Sequence, residues 1–189
     1  IAAGILFIIA AVAAMTGRLL YGPILIDPDY IIKGSAHEAQ VLWGAFFEIL
    51  TAFAVIGTPV ALFPVLRKYN QSLAIATVSF RLLEATMIIV GILSLLTIVT
   101  LSQSYTNEIN PDNTSYLLTG KALLAFQNWT FTFGPNIVLG PSTFLTGYLL
   151  HKSKLVPRFI SILGMIAGPI ISSCGVMIMF GMFTQTSLW

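Results

Sequence analysis

Apolar residues in this chain run continuously instead of alternating with polar ones, and the runs are long. A helix needs about 20 residues, at 1.5 Å each, to cross a bilayer. Five stretches meet or approach that length: Ile1 to about Leu20, Ala39–Leu66, Leu73–Ser102, a run within Tyr116–Leu150, and Arg158 to about Phe183. Barrel strands would alternate over about ten residues, which these runs do not do. The pattern therefore predicts an all-α fold, a polytopic transmembrane helix bundle with five visible spans. No internal repeat or linker divides it, so residues 1–189 are expected to form a single transmembrane helical domain. The apolar run that opens at Ile1, with no basic segment or cleavage pattern, reads as a span cut short at its N-terminus.

The polar segments between the runs set the orientation. Arg67, Lys68, Tyr69 and Asn70 form one basic turn, and His151, Lys152, Lys154 and Arg158 form another. Two spans separate them, so they share a side, and their Lys/Arg excess places Arg67–Asn70 and His151–Arg158 in the cytoplasm. The remaining connections hold Asp27, Asp29, Glu38, Glu108 and Asp112, with Lys33 and Lys121 as a minority, and are expected outside. Aromatic residues follow the same division. Tyr21, Tyr30, Trp43, Tyr105, Tyr116 and Trp189 fall near the outer interface, and Tyr69 and Tyr148 near the inner one.

Composition names the solvent. Hydrophobic residues make up 57% of the chain and charged residues 8%, with a mean hydropathy of +0.91. A soluble domain carries roughly 25% charge, so the partner covering most of this surface is the lipid bilayer. The net charge of +2 is spread over helix ends, which excludes the dense basic footprint of a nucleic-acid binder. Cys174 is the single cysteine, so no internal disulfide forms.

Spacing assigns faces to the helices. Gly44, Glu48, Thr51, Ala52, Val55, Thr58 and Pro59 recur at three- and four-residue steps and should face other helices. Phe46, Leu50, Phe53, Val60 and Phe63 should face lipid. Thr77, Arg81, Glu84, Ile88 and Gly91 align in the third span. Gly164, Gly168 and Ser172 form a small-xxx-small stripe in the fifth, which most simply packs within the molecule but also fits a membrane-protein partner or a second copy.

Ionisable residues inside an apolar run need a partner or a cavity, because each costs about 3 kcal/mol on insertion scales. Glu84 lies too deep to reach either surface, and Arg81 sits three residues away on the same face, so the two are expected to pair. Glu48 has no cation in its own helix, and Arg18 is its nearest partner by depth. Gln127 and Asn128 lie at a comparable level in the fourth span. A carboxyl without a cation titrates nearer neutrality, which makes Glu48 the better proton-exchanging candidate. The same residues also fit a satisfied network that only locks helix register. In the fourth span Gly134-Pro135 and Gly140-Pro141 bracket Asn136. Each proline frees a carbonyl four residues earlier, near Phe131 and Ile137. Interrupted helices of this kind can coordinate substrate, although other helices, or Ser142 and Thr143, can re-satisfy the backbone.

Catalytic motifs are largely absent. No HExxH, GxSxG or cysteine pair occurs, and His37 and His151 fall at opposite interfaces, so no metal site is expected and no cofactor is indicated. Asn113-Thr114-Ser115 fits a glycosylation acceptor.

The segment Ala61-Leu-Phe-Pro-Val-Leu-Arg-Lys-Tyr-Asn70, followed by Phe80-Arg-Leu-Leu-Glu-Ala85, resembles a family of bacterial multi-pass membrane proteins catalogued as domain of unknown function 4386. Lys154-Leu-Val-Pro-Arg-Phe-Ile-Ser-Ile-Leu-Gly164 is similar to the family's loop between the fourth and fifth spans. The resemblance covers about residues 38 to 168. It implies a six-helix protein of the bacterial cytoplasmic membrane, whose sixth span would lie beyond Trp189, so the chain is expected to be truncated at both ends. It carries Arg81 and Glu84 over as motif residues without a role, and it implies no activity.

The expected function is transport or sensing of a small solute or proton through an intramembrane polar cavity. Glu48 is the titrating group, Arg18 its neighbour, Arg81 and Glu84 an inner polar gate, and Asn128 and Asn136 the lining. A non-catalytic accessory or scaffolding subunit is the alternative, and an intramembrane lipid-modifying enzyme a third.

Overall fold

The computed structural model describes residues 1–26, 30–33 and 37–182, with backbone alone for Ile32 and Lys33. Asp27, Asp29, Trp189 and the end of the fifth expected span at Phe183 lie outside the described residues. Those described residues form helices and no strand: α1 (Ala2–Leu20), α2 (Gly22–Ile26), α3 (Tyr30–Lys33), α4 (Glu38–Leu66), α5 (Gln71–Asn107), α6 (Asn113–Phe131), a π-helical segment (Thr132–Val138), α7 (Leu139–Ser153) and α8 (Arg158–Met179). α1, α4, α5 and α8 are long and apolar enough to cross a membrane. The fourth expected span is built differently. Its helical rod is split in three, and neither α6 nor α7 alone reaches that standard: α7 has only 15 residues, and Lys121, Gln127, Asn128 and several threonines dilute the apolar character of α6.

Local signals explain where the helices start. The Asn70 side chain accepts a hydrogen bond from the Leu73 amide at 3.0 Å and caps α5. Asp112 does the same for α6 through the Thr114 amide at 3.1 Å. The Ser115 hydroxyl and that amide hold the Asp112 carboxyl below its usual range, so the cap is intact at neutral pH and is lost as pH falls through that lowered value.

α1 packs on α4, α4 on α5, α5 on α6 and α7, and α7 on α8. At one end, the Tyr69 hydroxyl donates to the Ser153 carbonyl at 3.3 Å. Leu66, Ala74 and Leu149 form a small core beneath it. The two basic turns thus share an end of the bundle, as their even spacing predicts. At the other end, the connection between the first two spans is part of the core. Tyr21, Ile24, Tyr30 and Ile31 bury against Val41 and Ala45 of α4 and Ile92, Leu95, Ile98 and Val99 of α5. The Ser102 hydroxyl fastens the Ile31 carbonyl at 3.1 Å.

The faces of α4 follow the predicted periodicity except at Leu50 and Phe63, which are half-buried, Phe63 against the Leu66, Ala74 and Leu149 core. Gly44, Thr51, Ala52, Val55 and Pro59 are buried, whereas Phe46, Phe53 and Val60 are exposed. Exposed Phe7, Phe53, Leu93 and Phe159 extend the apolar surface around the bundle, which suits lipid and would be unfavourable in water.

The interrupted rod resolves its own backbone problem, partly in a way the sequence did not indicate. Pro135 sits inside the π-helical segment, whose wider turn accommodates it. Pro141 cannot donate to the Ile137 carbonyl, and the Ser172 hydroxyl of α8 takes that place at 2.9 Å. Ser142 and Thr143 do not perform this repair. Thr143 bonds the Leu139 carbonyl at 2.9 Å, and the buried Ser142 hydroxyl makes no hydrogen bond. The bond from α8 is possible because α7 and α8 lie almost backbone to backbone along Gly140, Gly147, Gly164 and Gly168. A Cβ on Gly147 would lie 2.9 Å from both the Met165 nitrogen and the Ser161 oxygen.

Candidate functional site

Two glycines place Glu48. α1 and α4 cross at Gly17 and Gly44, and a Cβ on Gly17 would fall 2.9 Å from Glu48 Cγ and 3.1 Å from the Gly44 carbonyl. A Cβ on Gly44 would fall 2.9 Å from the Tyr21 ring. The stem of Glu48 therefore lies over Gly17, and the ring of Tyr21 over Gly44. This close crossing brings the Glu48 carboxylate into electrostatic contact with Arg18, one residue after Gly17. Arg18 also lies over the face of Phe131, its guanidinium carbon 4.5 Å from the ring centroid. That geometry attracts a cation to the ring's negative face and fixes its position.

Arg18 and Glu48 border a cavity lined also by Tyr21, Gln127, Thr130 and the Met87–Leu95 face of α5. Its volume is about 20 Å³, enough for one water, which takes about 10–15 Å³ on this measure. The Tyr21 hydroxyl and the Gln127 amide oxygen are buried without a hydrogen-bond partner among the described residues. Tyr21 is 3% exposed and Gln127 7%. A buried polar atom left without a partner costs about 1–3 kcal/mol, so two beside one small, mostly apolar cavity call for a bridging water. Gly91 makes the room: a Cβ there would lie 2.9 Å from the Thr130 hydroxyl.

Arg81 and Glu84 form a separate site. Arg81 Nη1 lies 3.3 Å from Glu84 Oε2, with Glu84 buried. Glu84 and Gly91 are seven residues apart in α5, about 10 Å along its axis, with Met87 and Ile88 between them. The π-helical segment leans on both regions. Its Pro135, next to Phe131 at the end of α6, lines the Glu48 cavity, and Gly134 packs against Met87 and the Glu84 carbonyl.

Two expected lining residues are placed elsewhere. Asn128 is exposed on the outside of α6, because the face that meets α5 carries Gln127 and Thr130. Asn136 packs against Gly175 of α8, whose Cβ would lie 3.0 Å from Asn136 Cβ. The structure thus joins Arg18 to Glu48 and Arg81 to Glu84, and separates both asparagines from the cavity. Sequence reasoning passed over Tyr21 and Gln127 as cavity residues. The pair Gln127 and Thr130, spaced by three with Gly134 four further on, was the available signal for the inward face.

No curated protein and no solved structure matches the chain. The model of one family matches residues 2–189, extending the resemblance carried by the Phe80–Ala85 and Lys154–Gly164 segments to both ends. The chain belongs to that family, described as Domain of unknown function (DUF4386).

Proposed function

We propose that the protein handles protons at Glu48, in a small cavity inside the membrane where a few polar groups converge on a mostly apolar lining. The observation that carries this reading is the placement of a carboxylate, a guanidinium and two unpartnered polar atoms around about 20 Å³ of space. That volume suits a water molecule and a proton. Glu48 takes up and releases the proton, and Arg18 offsets the carboxylate charge when it is ionised. The Tyr21 hydroxyl and the Gln127 amide oxygen hold the water that passes the proton on. Arg81 and Glu84, about 10 Å further along α5, form the second charged station toward the basic end.

A second reading is an accessory subunit in which these groups only fix the helix register. Arg18 beside Glu48 favours it, since a carboxylate matched by a cation has less reason to exchange its proton.

Proteoliposomes containing a pH-sensitive dye distinguish the two. Under an imposed potential the wild-type chain should carry proton flux above protein-free liposomes. Glu48→Gln keeps the shape but cannot ionise, and should reduce the flux by on the order of 100-fold, the scale of losing a positioned acid–base group, while the protein still folds. Absence of wild-type flux, or a Glu48→Gln variant that melts earlier with its flux unchanged, supports the accessory reading instead.

The setting proposed is a bacterial cytoplasmic membrane with both basic turns in the cytoplasm. After Cys174→Ser, a membrane-impermeant thiol reagent added outside cells should modify Asp112→Cys and spare Lys152→Cys. The opposite pattern reverses the orientation.

A further inference from the structure

The basic end of the bundle holds the largest group of positive charges in the sequence, and none of it serves the Glu48 cavity. Arg67 and Lys68 follow α4, Lys152 and Lys154 stand at and just after the end of α7, and Arg158 opens α8; all five are exposed. They account for more than half of the nine Lys and Arg residues in the chain, and no carboxylate offsets them. The sequence has no acidic residue between Glu48 and Glu84 and none after Asp112.

Tertiary contacts make one surface of these two turns. The Tyr69 hydroxyl reaches the Ser153 carbonyl at 3.3 Å, Leu66, Ala74 and Leu149 pack beneath them, and His151 Nδ1 lies 3.0 Å from the Ser161 hydroxyl, tying the end of α7 to the start of α8. Exposed Tyr69, Tyr148, Leu155 and Phe159 border the cations. A soluble anion has no use for that apolar margin, whereas a phospholipid does: its phosphate meets the cations and its glycerol and upper acyl region meets the rings and Leu155.

We propose that this joined basic surface binds the headgroups of anionic phospholipids in the adjoining leaflet, with both turns contributing to the same site. Each Lys or Arg near a membrane surface is worth on the order of fivefold in attraction to anionic lipid. Because the cations are exposed, the preference weakens as salt shortens the Debye length.

The test reconstitutes the full chain in nanodiscs of phosphatidylcholine with a minor fraction of phosphatidylglycerol, and measures which lipids the protein retains on extraction. The wild type should be enriched in phosphatidylglycerol at low salt and lose that enrichment as salt rises. Arg67→Gln with Lys68→Gln should reduce it several-fold, and so should Lys152→Gln with Arg158→Gln. The charge-preserving pair Lys152→Arg with Arg158→Lys should retain it, which separates lost charge from lost fold. Equal retention of both lipids by the wild type overturns the proposal, as does enrichment unchanged in both Gln pairs. Displacement of phosphatidylglycerol by inorganic phosphate at matched ionic strength also overturns it, since it marks a site for a free anion.

Discussion

Arg81→Leu alone should destabilise the bundle more than Arg81→Leu combined with Glu84→Met. Glu84 is 3% exposed and its carboxylate lies 3.3 Å from the Arg81 guanidinium. Removing the arginine leaves a buried carboxylate without its cation, a change that costs on the order of 3–5 kcal/mol. The double change removes both charges and leaves apolar side chains of similar volume, which buried pairs often tolerate with little loss. A cycle of the two single variants and the double variant, followed by thermal unfolding in detergent, measures the coupling. Losses that simply add would show that the pair acts as two independent residues. Glu84→Met alone should behave more mildly than Arg81→Leu, because Arg81 keeps part of its surface exposed and can extend its guanidinium toward the basic end.

Gly147→Ala and Gly168→Ala should each cost more than Gly164→Ala, whose methyl would meet only ordinary contacts at 3.6 and 3.8 Å. At Gly147 the new methyl would meet the Met165 nitrogen and the Ser161 oxygen at 2.9 Å, and at Gly168 the Phe144 nitrogen at 2.8 Å. These are backbone atoms, so no rotamer change relieves them and the two helices must move apart. Forcing one methylene into a packed interior costs about 1–3 kcal/mol. The same change at Gly4, where nothing lies within 4 Å, should be neutral or stabilise α1 by up to about 1 kcal/mol through helix propensity. Melting temperatures of these variants decide it, and a Gly147→Ala protein as stable as Gly4→Ala contradicts the packing described. Beyond stability, separation of α7 and α8 should break the Ser172 bond to the Ile137 carbonyl and loosen the π-helical segment that reaches both charged sites.

Apolar run length alone determined that the chain is an all-helical bundle, because burying or lipid-covering 20 successive apolar residues leaves the backbone no choice but to bond within its own segment. Periodicity determined the faces of α4, since side chains three and four apart share a side whatever the partner is. The Arg81–Glu84 pair was legible for the same reason, as both partners belong to one turn of one helix. Contacts between elements far apart in sequence were decided by the tertiary structure. Depth in the membrane named Arg18 as the partner of Glu48, but the crossing of Gly17 over Gly44 that brings them together depends on how closely two helices approach, and no spacing within either helix records it. Spacing groups Gln127 with Thr130 and Gly134 on one face, but adjacent residues in a helix differ by about 100° and only the position of α5 makes that face, and not the one with Asn128, the inward one. The same holds for Ser172, which supplies the bond that Pro141 removed. Proline chemistry announces that a carbonyl is freed, but the donor that reaches it comes from whichever helix packs there.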